Sequence, residues 1–268
     1  MNARYIIWGS ILLVSLGAWN PTFAYETTEV VNPGTLRGHV NFEGKILAPR
    51  TFTVQKNPEI CGETRSLTKV SVNDGKLQGA VIALEGITHG KAFEETHLRA
   101  NLPGQGEFYY RAGKTLNLEV RTKNCNFGPF TGVLARNEPI QFTNHDSIKH
   151  TLHTYVLRGK TAKILKTVHN RGIPPSGTLQ ETFTHKTLKK PGVVAITCDR
   201  HDFMENWLYV ADSPYFAISD EQGQFTIDQI PPGTYTMVVW HPVLGSQEHR
   251  VTITPEQDLV QNVEFVKR

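Results

Sequence analysis

The residues with the most distinctive chemistry lie in one short segment, Cys198-Asp199-Arg200-His201-Asp202-Phe203-Met204. Thiolates and thioethers are soft metal ligands, and imidazole is intermediate. Side chains three residues apart point to opposite faces of a strand, so Cys198, His201 and Met204 can meet on one ion only from a tight loop. A second imidazole would complete the ligand set of a mononuclear copper site.

Candidates for that second imidazole lie upstream, in residues 142–153. The segment predicts a strand, a short polar loop, and a second strand that opens at His150. His145 and His153 are the alternatives. In a strand, His153 would face away from His150 because three residues separate them.

Other metal sites are less compatible with this set of residues. Zinc is the main rival, but a structural zinc site would need a fourth hard-to-borderline ligand or more cysteines, and methionine is a poor zinc ligand. A binuclear copper centre would need a second cysteine in the loop, and the loop has none. The ligand types therefore favour one copper ion.

The elements that must position these residues are short strands. β-branched or alternating apolar runs occur throughout the chain and are separated by Gly, Pro, Asn and Asp. This pattern predicts an all-β protein built as a sandwich or barrel. The runs lie at 36–42, 80–84, 116–120, 139–142, 151–157, 193–197, 225–227 and 235–240.

Residues 115–211 resemble the cupredoxins, and most closely the amicyanin type, in the spacing of Cys198, His201 and Met204. A His after an Asn-containing loop is also typical of that family. The resemblance implies a Greek-key β-sandwich and a single type 1 copper ion held by His150, Cys198, His201 and Met204. It also implies that His201 lies near the surface as the route for electrons. Thr151 stands where the family often has an Asn that ties the ligand loops together, and its hydroxyl could take part of that role.

Residues 215–254 resemble the carboxypeptidase regulatory-like, transthyretin-like β-sandwich, through a Gly-containing hairpin and a Pro-Pro-Gly turn. The match covers only the latter half of such a domain. Segments 38–44 and 79–84 look like its opening half. We therefore predict segments 25–112, 113–212 and 213–268, with the first and last forming one split sandwich around a cupredoxin insertion. Three domains in a row is the alternative. His241 and His249 are expected at the surface.

The N-terminus predicts export. Arg4 precedes an uncharged run of 15 residues, and Thr22-Phe23-Ala24 has the small residues of a cleavage site. We expect residues 1–24 to be a signal peptide cut after Ala24, and a periplasmic or secreted protein without a transmembrane segment. An uncleaved anchor is the alternative. If Cys198 binds metal, Cys61 and Cys125 remain to form a disulfide in an oxidising compartment, unless both stay free thiols.

Charge and composition limit the functions. The net charge is +3 and the basic residues are scattered, which argues against nucleic-acid binding. No catalytic set is visible, so we do not expect an enzyme. Electron transfer with a redox protein, such as a cytochrome or a copper enzyme, is the first hypothesis. Copper storage or delivery is the second, and a structural or adhesion role is the third.

Overall fold

The computed structural model describes residues 25–93, 108–111, 117–128, 130–157, 164–184, 187–188 and 192–267. Regular structure within these ranges is almost entirely β-strand, so the all-β prediction is confirmed. The predicted signal peptide and the seam near residue 112 lie outside the described residues. The helical content of the described part offers no segment that could span a bilayer.

The first half of the chain contributes these elements: β1 (Glu26–Thr27), β2 (Gly34–Gly44), β3 (Arg50–Thr53), α1 (Pro58–Cys61), β4 (Thr64–Leu67), β5 (Ser71–Asn73), β6 (Lys76–Gln78), β7 (Val81–Glu85), β8 (His89–Gly90), β9 (Phe108–Arg111), β10 (Asn117–Thr122) and β11 (Thr131–Ala135). The second half contributes β12 (Pro139–Asn144), β13 (His150–Leu157), β14 (Ile164–Ile173), β15 (Thr178–Thr182), β16 (Gly192–Cys198), β17 (Glu205–Ala211), β18 (Phe216–Ile218), β19 (Gln224–Ile230), β20 (Gly233–His241), β21 (Gly245–Ile253), β22 (Asp258–Val260) and β23 (Val263–Lys267).

The described residues form six sheets, of which four larger ones stack face to face and enclose three cores, while β1-β8 and β3-β4 are two-stranded. Sheet I has the order β15-β12-β10-β9, and sheet II the order β11-β17-β16-β13-β14. Sheet III has the order β18-β7-β20-β21, and sheet IV joins β19, β2, β6 and β5, with β22 and β23 also paired to β2. One buried apolar cluster lies between sheets I and II, a second between II and III, and a third between III and IV.

The burial of each strand follows from its layer. β12 alternates buried and half-buried residues because only one face meets a core. β16 and β7 are buried on both faces, since sheets II and III are inner layers. Strands buried on both faces have continuous apolar sequences rather than alternating ones. This explains why the run before Cys198 is Val, Val, Ala and Ile.

Sheets III and IV combine strands from the two ends of the chain. β7 pairs with β18 and β20, and β2 pairs with β19, β22 and β23. This is the pairing that a split sandwich would have. The segment boundaries at 112 and 212, and the carboxypeptidase-like assignment, stay predictions.

The N-terminal part does not pack as one unit. Residues 50–67, which we call the cover hairpin, comprise β3, α1 and β4, and pack on the first core through Phe52, Val54 and Cys61. The predicted Cys61–Cys125 disulfide is confirmed, with the two Cα atoms 5.4 Å apart. It links the cover hairpin to the loop after β10, and it closes a loop between residues that are 64 positions apart in the sequence. In the chain-entropy description, such a loop stabilises the fold by about 4 kcal/mol.

His241 lies at the end of β20 and is 2% exposed, so the expectation that it lies at the surface is wrong. Its Nδ1 accepts a hydrogen bond from the backbone N–H of Val243. Burial lowers the pKa of His241 to about 4 because the charged imidazolium loses its hydration. The unfolded chain therefore binds a proton at higher pH than the folded one.

We expect His241 to make the fold less stable in acid. Above pH 6.5 the neutral imidazole makes its full contribution to the free energy of unfolding. That contribution is lost as the pH falls from 6.5 towards 4, and the total loss is about 3 kcal/mol. Urea denaturation of wild type and His241→Gln at pH 7, 6, 5 and 4 tests this. The difference in the free energy of unfolding between wild type and variant should decrease as the pH falls from 6.5 towards 4. A difference independent of pH would contradict the prediction.

Candidate metal centre

A tight loop between β16 and β17 positions three of the predicted ligands. Cys198 is the last residue of β16, and two successive hydrogen bonds link residues three apart. The N–H of His201 donates to the carbonyl of Cys198, and the N–H of Met204 donates to the carbonyl of His201. The N–H of Cys198 in turn donates to the carbonyl of Met204. This closed loop gathers Cys198, His201 and Met204 at the end of the inner sheet.

The neighbouring strand supplies His150. β13 runs antiparallel to β16, with Leu152 opposite Cys198, so His150 at the start of β13 lies just beyond the cysteine. The backbone of Thr151 ties the two ligand segments together. Its N–H donates to Sγ of Cys198 at 3.4 Å, and its carbonyl accepts from the N–H of Asp199.

Three ligand atoms surround a common point. Nδ1 of His150 and Nδ1 of His201 are 3.2 Å apart, and Sγ of Cys198 lies 3.9 and 3.7 Å from them. The centre of this triangle is about 2.1 Å from each atom, close to the bond lengths that imidazole and thiolate ligands make to a divalent ion. All three side chains are buried. The residues therefore fit a metal ion held by two nitrogens and one sulfur.

The outer nitrogens of both imidazoles have partners of their own. Nε2 of His150 donates to Oδ2 of Asp146 at 2.9 Å, and Nε2 of His201 lies 3.3 Å from Oδ1 of Asn57. A hydrogen bond at Nε2 fixes the ring orientation and leaves Nδ1 free to bind metal.

Hydrogen bonds oppose the effect of burial on the pKa of Cys198 and on the pKa of His150. Burial raises the pKa of Cys198, but hydrogen bonds from His150 and from the Thr151 backbone outweigh it and lower that pKa below its usual value. Burial lowers the pKa of His150, but its bonds to Asp146 and Cys198 raise it overall. A lower pKa favours the thiolate of Cys198, which is the form of cysteine that binds metal.

His201 and Asp146 are affected differently. Burial and the nearby charge of His150 lower the pKa of His201 to about 4, which keeps the imidazole neutral. Burial raises the pKa of Asp146, but hydrogen bonds from His150 and the Cys125 backbone lower it overall. Asp146 is therefore an ionised partner for His150.

His201 is buried, contrary to the surface position that the family resemblance implied. It is 2% exposed, because Asn57 of the cover hairpin lies against its Nε2 edge and Phe203 packs 5.7 Å from its ring. The covering residues belong to the cover hairpin, 50–67, which lies outside the segment 115–211 on which that resemblance rests.

Met204 and the two alternative histidines take distinct positions. Met204 is 1% exposed and belongs to the same apolar cluster as Cys198. His145 is exposed. His153 lies on the other face of β13, where Nδ1 contacts Asp199 at 2.8 Å and the ring stacks on Tyr155. Neither alternative joins the triangle of ligand atoms.

Sequence reasoning missed three residues that support the site. Asn144 is fully buried, and its side-chain amide donates to the carbonyls of Ile148, Ile173 and Pro174, while its Oδ1 accepts from Thr122 and from the N–H of Asp146. Asp146 and Asn57 hold the two imidazoles. The Asp four residues before His150 was a visible signal. For Asn57 the local sequence carried none.

The comparisons with known proteins cover parts of the chain. The family described as "Polysaccharide lyase family 4, domain II" matches residues 189–260, a stretch that includes β16 to β22. No curated protein matches.

The solved structures that match include several cupredoxins. A Cu(I) amicyanin variant is 16% identical, with 35% of this chain and 82% of that chain covered and a TM-score of 0.28. A reduced amicyanin variant is 14% identical, with 48% and 98% covered and a TM-score of 0.27. A purple cupredoxin from Nitrosopumilus maritimus is 18% identical, with 31% and 79% covered and a TM-score of 0.25.

We expect Asn144→Ala to destabilise the fold by about 2 to 4 kcal/mol, because it leaves several buried backbone groups without partners. Urea denaturation of the metal-free protein measures this. Asn170→Ala is the matched control, since Asn170 is exposed and its side chain bonds only at the surface. Its cost should stay below about 0.5 kcal/mol. Equal losses in the two variants would show that Asn144 does not organise the loop.

Proposed function

We propose that this protein holds one copper ion at His150, Cys198, His201 and Met204 and exchanges electrons with a redox protein outside the cytoplasm. The observation that supports this most directly is the triangle of Nδ1, Nδ1 and Sγ atoms, with both Nε2 atoms turned outward to fixed partners. Two imidazoles, a thiolate and a weak axial thioether are the ligands of blue-copper electron-transfer sites.

The residues have separate roles in this proposal. A copper ion bound here would supply a one-electron change between Cu(I) and Cu(II). The thiolate of Cys198 and the imidazoles of His150 and His201 would hold the ion, with the sulfur as the softest of these three donors. Met204 would add its thioether as a weaker fourth donor. The apolar core around Cys198 and Met204 keeps water away from the ligands.

The same geometry argues for electron transfer rather than copper delivery or catalysis. All three ligands of the triangle are buried and none is an exposed handover group. The four proposed ligands leave no open position for a substrate, so we propose no enzymatic activity. The exposed residues of the loop, Asp199, Arg200 and Asp202, give a polar face for a partner such as a cytochrome or a copper enzyme. Export to the periplasm or beyond is part of the proposal.

Added Cu(II) should give residues 25–268 an intense visible absorption band from a copper–thiolate bond. Cys198→Ala should abolish the band, because the sulfur is lost, while the far-ultraviolet circular dichroism stays that of a β protein. His153→Ala is the matched control, since His153 lies on the opposite face of β13, and it should keep the band. Folded wild-type protein without a band would refute the copper–thiolate site.

Met204→Leu should raise the reduction potential, because an axial thioether donates electrons that stabilise Cu(II) more than Cu(I). Redox titration followed at the visible band measures this. Met237→Leu is the control, since Met237 lies in the third core between sheets III and IV. An unchanged potential in Met204→Leu would exclude Met204 as a ligand while leaving the other three in place.

A further inference from the structure

The Cys61–Cys125 disulfide joins the outer supports of both imidazoles. On one side, Cys61 ends α1, the helix that begins immediately after Asn57, whose Oδ1 contacts Nε2 of His201. On the other side, the N–H of Cys125 donates to Oδ2 of Asp146 at 2.9 Å. The same Oδ2 atom accepts the hydrogen bond from His150. One covalent bond thus connects two hydrogen-bonded chains that each end on a metal-binding ring.

Both ends of this connection hold unusual backbone conformations. Asn57 has φ 57° and Cys125 has φ 53°, in the left-handed region that non-glycine residues seldom adopt. Such conformations persist where the surrounding structure determines them, and they concentrate at functional sites. They occur here at Asn57, which supports His201, and at Cys125, which bonds to Asp146, so the surrounding structure holds both residues in a specific geometry.

Asn57 also gives up its ordinary local role. It occupies the N-cap of α1, where an Asn side chain normally accepts a hydrogen bond from the helix. Its side chain makes no capping hydrogen bond. Instead, its Oδ1 contacts Nε2 of His201, and its Nδ2 donates to the carboxylate of Glu59. The residue is therefore oriented toward the imidazole 144 positions away in sequence.

The cover hairpin is packed as well as linked. Cys61 and Cys125 are each at most 2% exposed. The rings of Phe52 and Phe203 pack edge-on, with their centroids 6.2 Å apart. Phe203 lies between His201 and Met204 in the loop. The hairpin therefore covers the metal loop with apolar contacts while the disulfide fixes its position.

We propose that the Cys61–Cys125 disulfide positions both imidazoles of the centre, through Asn57 and Asp146, and so makes loss of the bound metal slow. This rests on the proposed copper site. Removing an outer partner of a metal-binding histidine typically weakens metal binding 10- to 100-fold. Because the disulfide acts on two partners, its removal should affect the centre more than loss of Asn57 alone.

A double-mutant cycle tests the proposal in the full mature chain. Its variants are Asn57→Gly, Cys61→Ser with Cys125→Ser, and the combination. Glycine suits the left-handed backbone at position 57, so the change removes the side chain without strain. The measured quantity is the rate at which the visible copper band decays on adding excess EDTA. We expect about a tenfold faster decay in Asn57→Gly and a larger increase without the disulfide. The combined change should be smaller than the product of the two.

Val210→Ala is the control for general destabilisation, because Val210 lies in the same core at the far end of β17. It should leave the decay rate near that of wild type. An unchanged rate without the disulfide, or effects that multiply in the combined variant, would overturn the proposal while the copper site stands.

A metal-free measurement separates this proposal from the proposed function. In the metal-free variant without the disulfide, the ¹⁵N chemical shifts of the His150 and His201 rings should both differ from wild type. In metal-free Asn57→Gly, the larger difference should be at His201. A wild-type protein without a visible copper band would refute the copper site. Unchanged ring signals in the variants would overturn the positioning role whatever metal binds.

Discussion

The burial of three ionisable side chains at one point is the constraint on which the rest of the structure depends. A buried imidazole or thiolate is costly unless hydrogen bonds or a metal compensate its lost hydration. His150, Cys198 and His201 are each supplied with such partners: Asp146, the Thr151 backbone and Asn57. The result is a cluster whose ligand atoms face inward while their remaining polar atoms are held from outside.

Sheet II makes this cluster rigid, because both of its faces are covered. Two of its adjacent strands, β13 and β16, carry His150 and Cys198, and the sheet packs against sheets I and III. Closely packed interiors resist small displacements. Sheet III therefore serves the centre indirectly, because it packs against the strands that carry His150 and Cys198.

The cover hairpin changes how the centre meets its surroundings. It places Asn57 over His201 and is fastened by the disulfide to the loop that carries Cys125. In an oxidising compartment this bond persists. Under the proposed function, a redox partner would meet the exposed charged residues Asp199, Arg200 and Asp202 rather than His201 itself.

The sequence by itself determined the all-β class and the tight loop implied by Cys198, His201 and Met204 at spacings of three, and it favoured a disulfide between the two remaining cysteines. These follow from local periodicity and residue chemistry. The tertiary structure decided that His150 rather than His145 or His153 joins the cluster, because antiparallel register sets which side chain lies beside Cys198. It also decided the burial of His201 and His241 and the role of Asn57. Those depend on contacts between distant segments, which no local pattern encodes.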